Sequence, residues 1–228
     1  MDQAHMATPT RLYKYMPSRF TKGFLERGDL LFRNLAYFRQ IEEMGRSDLL
    51  EGLHMDYPDN EVTIETTDGR VRWRGHAAFL NSINSSELFA FCLSESLSTK
   101  LFTDFGADTC VEILDPSEFL QRCRVTIARH HDLTESRLLH GRVEYYAPNK
   151  GVRMNVKDPR CIPFFKHEKY SHQCSEYRLA AARPRGLHLT QKIVSSTFSF
   201  DDEIAAGRPE YEHLFIGSLK DIAKVHKA

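Results

Sequence analysis

Net charge is the first thing this chain lacks, because 31 Lys and Arg residues balance 31 Asp and Glu. A global electrostatic pull towards nucleic acid or an anionic membrane is therefore absent, although a locally basic groove is not excluded. Paired cysteines are lacking too. The five present (Cys92, Cys110, Cys123, Cys161 and Cys174) are odd in number and include no C-x-x-C. They read as reduced thiols of a cytoplasmic protein, not as a disulfide framework. His172 with Cys174 is the nearest approach to a metal-ligand pair, and two ligands do not make a tetrahedral zinc site. No stretch approaches the ~18 consecutive apolar residues of a membrane span. The opening, Met1 to Thr10, is polar and has no apolar core of a signal peptide. The expectation is a soluble, cytoplasmic protein with no membrane partner.

What is present is ample core material. Hydrophobic residues make up 41% of the chain and include 15 Phe. A length of 228 residues is compatible with one domain over 1–228, and no repeat or low-complexity tract divides it. Leu12–Met16 alternates like a strand and Pro17 stops it. Ser18 can cap a helix that Gly28 closes after Arg27. Asp29–Asn34 reads as a strand, and Leu35–Glu43 as a helical piece. Alternation on both sides of Asp68-Gly69 predicts a hairpin with a type I′ turn, forming a half-exposed insertion at 61–75. Glu87–Ser94 is a near-continuous apolar run, as in a buried central strand. Thr109–Leu114 reads as a further strand. Asp115, Pro116 and Glu118 are start signals for a helix. Strands are expected over Arg142–Tyr146, Glu176–Ala182, Lys192–Phe200 and His213–Ile216, and a last helix over Leu219–His226. The class is α+β, a mostly antiparallel sheet with few flanking helices.

Polar clusters interrupt this pattern. Glu176 and Arg178 stand two apart at the head of an apolar strand, so an acid and a base share one face. Such a pair is either a structural ion pair or the polar heart of a site. Lys166, His167 and His172 precede it, interleaved with Phe165 and Tyr170, a composition suited to phosphate contact and base stacking. Ser94 and Glu95 lie where a buried strand exits, a place where sites gather. Arg46, Asp48 and Glu51 form an acidic element, and Asp48 and Glu51, three apart, would share a helix face and could hold a divalent cation. Strand alternation puts Tyr13 and Tyr15 on one face and Lys14 on the other. His130, His131 and His140 read as the ragged end of a helix and its loop.

Taken in order, Leu12-Tyr13-Lys14-Tyr15, Phe91-Cys92-Leu93-Ser94-Glu95 and Ser175-Glu176-Tyr177-Arg178-Leu179 form a pattern. It resembles a bacterial domain-of-unknown-function family with LYKY, NDP-E, CFSE and E-Y-R motifs. Arg46–Gly52 stands where that family has its acidic NDP-E element, and Phe102–Ile113 where it reads W-x-H-Y and then G-x-C-I. This chain has no Trp or His within Phe102–Phe105. More distantly, the chain resembles ADP-ribosyltransferases, which place a His or Arg on a first strand, a Ser or Tyr on a second and a Glu heading a later one, often as E-x-E. Lys14, Ser94 or Ser96, and Glu176 occupy those positions in order, with Lys in place of His or Arg and Glu176-Tyr177-Arg178 in place of E-x-E.

The resemblance implies a nucleotide-handling enzyme that uses NAD as substrate, in bacterial phage defence or toxin activity, with a protein or nucleic acid as target. Glu176, Ser94 and Lys14 would be catalytic. Arg178, Lys166, His167, Tyr13, Tyr15, Glu95, Arg46, Asp48 and Glu51 would bind substrate, with no resident metal. Two alternatives stay open. One is a metal-dependent nuclease using Asp48, Glu51, Glu176 and Lys166, and the other a non-catalytic module that binds a ligand or partner.

Overall fold

Alternating apolar residues build the sheet that organises this molecule. The computed structural model describes residues 8–40, 50–66, 68–70, 72–133, 137–148, 156, 158–171, 175–194 and 210–228. In chain order the elements are β1 (Leu12–Met16), α1 (Ser18–Arg27), β2 (Asp29–Asn34), α2 (Leu35–Gln40), β3 (Leu53–Asp56), β4 (Val62–Glu65), β5 (Arg72–Gly75), β6 (Ala78–Ser82), β7 (Leu88–Ser94), α3 (Thr99–Asp104), β8 (Thr109–Ile113), α4 (Pro116–Arg129), β9 (Leu139–Arg142), β10 (Glu144–Tyr146), β11 (Phe165–His167), β12 (Glu176–Ala182), β13 (Thr190–Val194), β14 (Tyr211–Phe215) and β15 (Ala223–Lys227). Short 3-10 turns span Pro159–Phe164 and Glu168–Tyr170. With 24% helix, 40% strand and mostly antiparallel pairing, the chain is α+β as its patterning predicts.

The main sheet is built around β7. Along one edge β7 pairs with β12 over its whole length, from Leu88↔Ala182 to Ser94↔Glu176, and β9 lies beyond β12. The other edge is shared. β2, followed by β14, takes Phe89 and Ala90, whereas β1, followed by β8 and β15, joins only at Tyr13↔Ser94. The two wings therefore part along the middle of β7 and leave a fork. Smaller sheets complete the structure: β13-β6-β3, the parallel pair β10-β11, and the hairpin β4-β5.

Each strand of the main sheet turns alternate residues to opposite faces. One face carries Phe32, Phe89, Phe91, Tyr177 and Leu179 against α1 and α4, which contribute Phe24, Phe119, Leu120 and Ile127. Phe91 stacks between Phe24 and Phe32, with ring centroids 6.4 and 5.5 Å away. Each such ring, fully buried, contributes about 1.5–3 kcal/mol. The second face carries Leu88, Ala90, Ala180 and Ala182 beneath Leu35, Ile162, Phe164 and Phe165. A separate cluster of Tyr15, Leu101, Phe102 and Cys110 packs α3 onto β1 and β8.

Several local expectations hold. Gly28 closes α1 in the left-handed conformation with φ 60°, and Asp115 accepts from Glu118 N at the start of α4. Others need correction. Ser18 does not cap its own helix; its N–H and hydroxyl both donate to Asp108, which caps the helix from across the fold. The hairpin is centred as expected, with Glu65↔Arg72, but its turn is not type I′, because Gly69 has positive φ and Asp68 does not. The Asp68 carboxylate instead accepts from Thr66 Oγ1 and Arg70 N. The strand expected over Arg142–Tyr146 divides at Val143, whose N–H turns in to Glu176 O so that β9 and β10 join different sheets.

The C-terminal helix is absent: Ala223–Lys227 is a strand on the open edge of β8. Leu219 and Ile222 are buried, and their spacing imitates a helical stripe. An isolated helix of that length is marginal, and a free sheet edge offers backbone partners at once. The strand expected at Lys192–Phe200 is seen as Thr190–Val194; the remainder lies outside the described residues, as does the end of the helix expected over Leu35–Glu43.

Candidate functional site

Four charged side chains close into a buried cluster on the second face of the main sheet. Glu176 and Arg178, on alternate positions of β12, point the same way and meet there, with Arg178 Nε 3.0 Å and Nη2 2.7 Å from Glu176 Oε1. Glu51 arrives from the turn before β3 and receives Arg178 Nη1 at 2.8 Å and Nη2 at 2.9 Å. Lys166 on β11 donates to Glu176 Oε2 at 3.1 Å and lies 3.6 Å from Glu51 Oε1.

The backbone explains how Glu51 gets there. Gly52 has φ +73°, and a Cβ on it would come within 2.9 Å of Ser85 Oγ and 3.2 Å of Leu35 Cδ1. Glycine therefore permits both the left-handed turn and the close approach. Buried Arg39 holds the turn from behind, donating from Nε to Glu51 O at 2.6 Å.

Arg178 is the hub. It is 1% exposed, and its second Nη1 hydrogen goes to Pro163 O at 2.7 Å. All five guanidinium N–H groups are thus committed. Arg178 has no donor left for a phosphate, which corrects its expected substrate-binding role. Both Glu51 oxygens likewise accept from Arg178, and the carboxylate is buried.

Burial alone would push the Glu176 carboxyl up, but Arg178 and Lys166 outweigh it and hold the group well below the usual carboxylate range. Glu176 stays ionised. Lys166 is also raised: burial opposes its charge, and Glu176 and Glu51 more than restore it. The Lys166 ammonium keeps donor capacity beyond its two carboxylates, and its side chain is 12% exposed.

Strand register decides which other residues join this cluster. Ser94 lies directly opposite both Glu176 and Tyr13, and Cys92 lies opposite Arg178. The Ser94 hydroxyl is engaged in the turn leaving β7, accepting from Ser96 N at 3.1 Å and approaching Ser96 O at 3.2 Å. Cys92, opposite Arg178, lies on the same face as Glu176 and is partly buried. Burial and the Glu176 charge push the Cys92 thiol up to about 12, so it is protonated. Its position two residues before Ser94 on a strand was the signal that could have found it.

Tyr13 and Tyr15 do share a face, apart from Lys14, but both are anchors. Tyr13 Oη donates to Glu112 at 3.4 Å, and Tyr15 Oη accepts from Ser98 N at 2.7 Å and donates to Ser96 O at 3.0 Å.

Two expected members lie on the opposite side of the sheet. Lys14 alternates with Leu12 and Met16 on the helix face; its ammonium donates to Cys92 O at 2.8 Å and sits 4.2 Å from the Phe91 ring centroid. It fills the fork where β1 and β2 part from β7. Burial lowers its pKa, with the charge of Glu176 opposing that shift. Glu95 is held by Arg142 at 2.7 and 2.8 Å, and Arg142 faces Tyr177, a core residue of the helix face. Strand alternation thus removes Glu95 and Lys14 from the cleft expected to gather them.

His167 Nδ1 accepts from Lys169 N and caps a 3-10 turn. His140 is not a ragged loop residue. It is buried, and Arg124, an obligate donor, lies 2.8 Å from its Nε2, so its Nδ1–H donates to Tyr177 Oη at 2.7 Å. Arg46, Asp48 and His172 lie outside the described residues. Among the described residues, no group of three His, Cys, Asp or Glu could hold a metal ion, and no helix is long and apolar enough to cross a membrane.

A second buried arginine tempers any functional reading of the first. Arg183, just past β12, is held by Glu212 and lies 3.7 Å from Glu87. Buried ion pairing is therefore used architecturally elsewhere in this chain. No family model, curated protein or solved structure matches the sequence.

Proposed function

We propose that this chain is a nucleotide-handling enzyme of ADP-ribosyltransferase type with NAD as its substrate. One observation carries this proposal: Glu176, at the head of β12, is a carboxylate held ionised by Arg178 and Lys166. An anion fixed in a desolvated site suits a reaction in which positive charge develops. In that reaction the bond between ribose C1′ and nicotinamide breaks, and nicotinamide leaves with the electron pair. Positive charge spreads over C1′ and the ring oxygen, where Glu176 steadies it. The acceptor's oxygen or nitrogen then bonds to C1′ and releases its proton to water. Lys166, with donors to spare, contacts the diphosphate. Glu176 acts through its charge and not as a general acid, since its proton is already lost. Glu51, Arg178 and Lys14 act as supports.

The metal-dependent nuclease has less support, because it relies on Asp48, outside the described residues, beside a Glu51 already paired with Arg178. A non-catalytic module that binds a ligand or partner is the second reading, and the saturation of all Arg178 donors within the fold, which makes that residue a structural hub, favours it. Incubation with labelled NAD and a bacterial lysate, with and without EDTA, separates the two functions. Label transferred by wild type, absent with Glu176→Gln and unaffected by EDTA supports the transferase. A thermal upshift with NAD but no transfer or NAD loss supports the binding module.

A further inference from the structure

The outer wing of the main sheet carries an aromatic strip on the same face as the ion cluster. β14 turns Leu214 into the core and Tyr211, His213 and Phe215 to the other side, where they meet Arg33, Leu31 and Asp29 of β2 in register. Tyr211 is 44% and Phe215 54% exposed. The rings stand in file, with centroids 5.6 Å apart from Tyr211 to His213 and 6.2 Å from His213 to Phe215. Guanidinium groups lie against both ends. Arg33 is 5.2 Å from the Tyr211 centroid and 4.3 Å from that of Tyr37, and Arg27 is 5.8 Å from Phe215. Asp29, in the strip, pairs with Arg27 at 3.3 Å and lies 2.9 Å from His213 Nδ1.

We propose that this strip is a stacking surface for single-stranded nucleic acid. Unstacked bases would lie on Tyr211 and Phe215, with Arg33 and Arg27 contacting phosphate. Exposed rings gathered in one row mark an interaction surface. The chemistry here favours nucleic acid over protein. Guanidinium groups lie against the rings at both ends of the strip, and that of Arg33 lies near two of them. Rings with arginine planes beside them are what unpaired bases stack on. The Tyr211 and Phe215 rings flank His213 and stand no more than about 12 Å apart, enough for two bases to be held separately. The chain is neutral overall, so binding would rest on stacking and few phosphate contacts, giving a shallow salt dependence. This surface is independent of the NAD chemistry proposed above.

Fluorescence anisotropy with a labelled oligonucleotide of about a dozen thymidines, at ~50 and ~200 mM salt, tests it. Wild type is expected to bind, and Tyr211→Ala with Phe215→Ala to weaken binding about tenfold or more at an unchanged melting temperature. Glu176→Gln is expected to bind like wild type, so loss of the transferase proposal would leave this result standing. No binding at the lower salt, or equal binding by the double variant, would overturn the proposal. So would concentration-dependent dimerisation that the double variant loses without any oligonucleotide binding, which would give the strip to a second copy of the chain.

Discussion

Glu51 and Arg178 lie 127 positions apart in sequence and meet through paired hydrogen bonds of 2.8 and 2.9 Å. This is a bidentate carboxylate–guanidinium fork that a lysine cannot reproduce. Removing one partner of a buried pair leaves an uncompensated charge and costs about 3–5 kcal/mol. Arg178→Lys is expected to lose stability in that range in urea unfolding, because its ammonium cannot reach Glu51, Glu176 and Pro163 O together. A loss under ~1 kcal/mol would mean that the hub is not structural.

Acid should unfold this protein partly through Glu176. Its carboxyl is held below the unfolded value of 4.5 by Arg178 and Lys166 despite burial. A depressed folded pKa contributes stability that is complete above the unfolded value and lost as pH falls below it. Urea midpoints measured downward from about pH 6 should decline most steeply below ~4.5, and Glu176→Gln should flatten that decline from a lower starting stability.

His54 acts earlier on the pH scale. It is buried, stacks 4.9 Å from Tyr146 and 5.1 Å from Phe165, and its Nδ1 has no hydrogen-bond partner among the described residues. Burial lowers its pKa from 6.5 to about 4. The unfolded chain therefore takes up this proton first, and stability falls as pH drops from about 6.5 towards 4. His54→Phe keeps the ring stacking and removes the unpaired nitrogen. The variant should match or exceed wild type near pH 7 and show a shallower loss between ~6.5 and ~4.5, read from urea midpoints.

The internal thiols should be unreactive in the native protein. Burial pushes Cys92 and Cys110 up to about 12 and raises Cys123 further. The thiolate is the nucleophile, so iodoacetamide near pH 8 should leave these three unlabelled in the folded protein and label them in denaturant. Rapid native labelling of Cys92, read by mass spectrometry, would contradict its protonated place beside Glu176.

The sequence made legible what short-range rules govern. β12 falls at Glu176–Ala182 as the apolar run predicts, and the Glu176–Arg178 pair shares a face because strands alternate. Alternation also contained the answer for Lys14 against Tyr13 and Tyr15. It was not applied across Ser94 and Glu95, and that residue pair consequently divides between the two faces. The Glu51–Arg178 contact could not be foreseen, because nothing local in β12 specifies which distant acid will meet it. The C-terminal segment has helix-like spacing but forms a strand for a related reason: its partner, the open edge of β8, is a feature of the assembled sheet and not of the segment.

The central claim is that Glu176 works through its negative charge on NAD. Nicotinamide release by purified wild type, Glu176→Gln and Glu176→Asp, each shown folded by its melting curve, addresses it most directly. The account predicts release by wild type, loss of about a hundredfold or more in Glu176→Gln, and partial activity in Glu176→Asp. Undiminished release by folded Glu176→Gln, or no release by wild type, would contradict it.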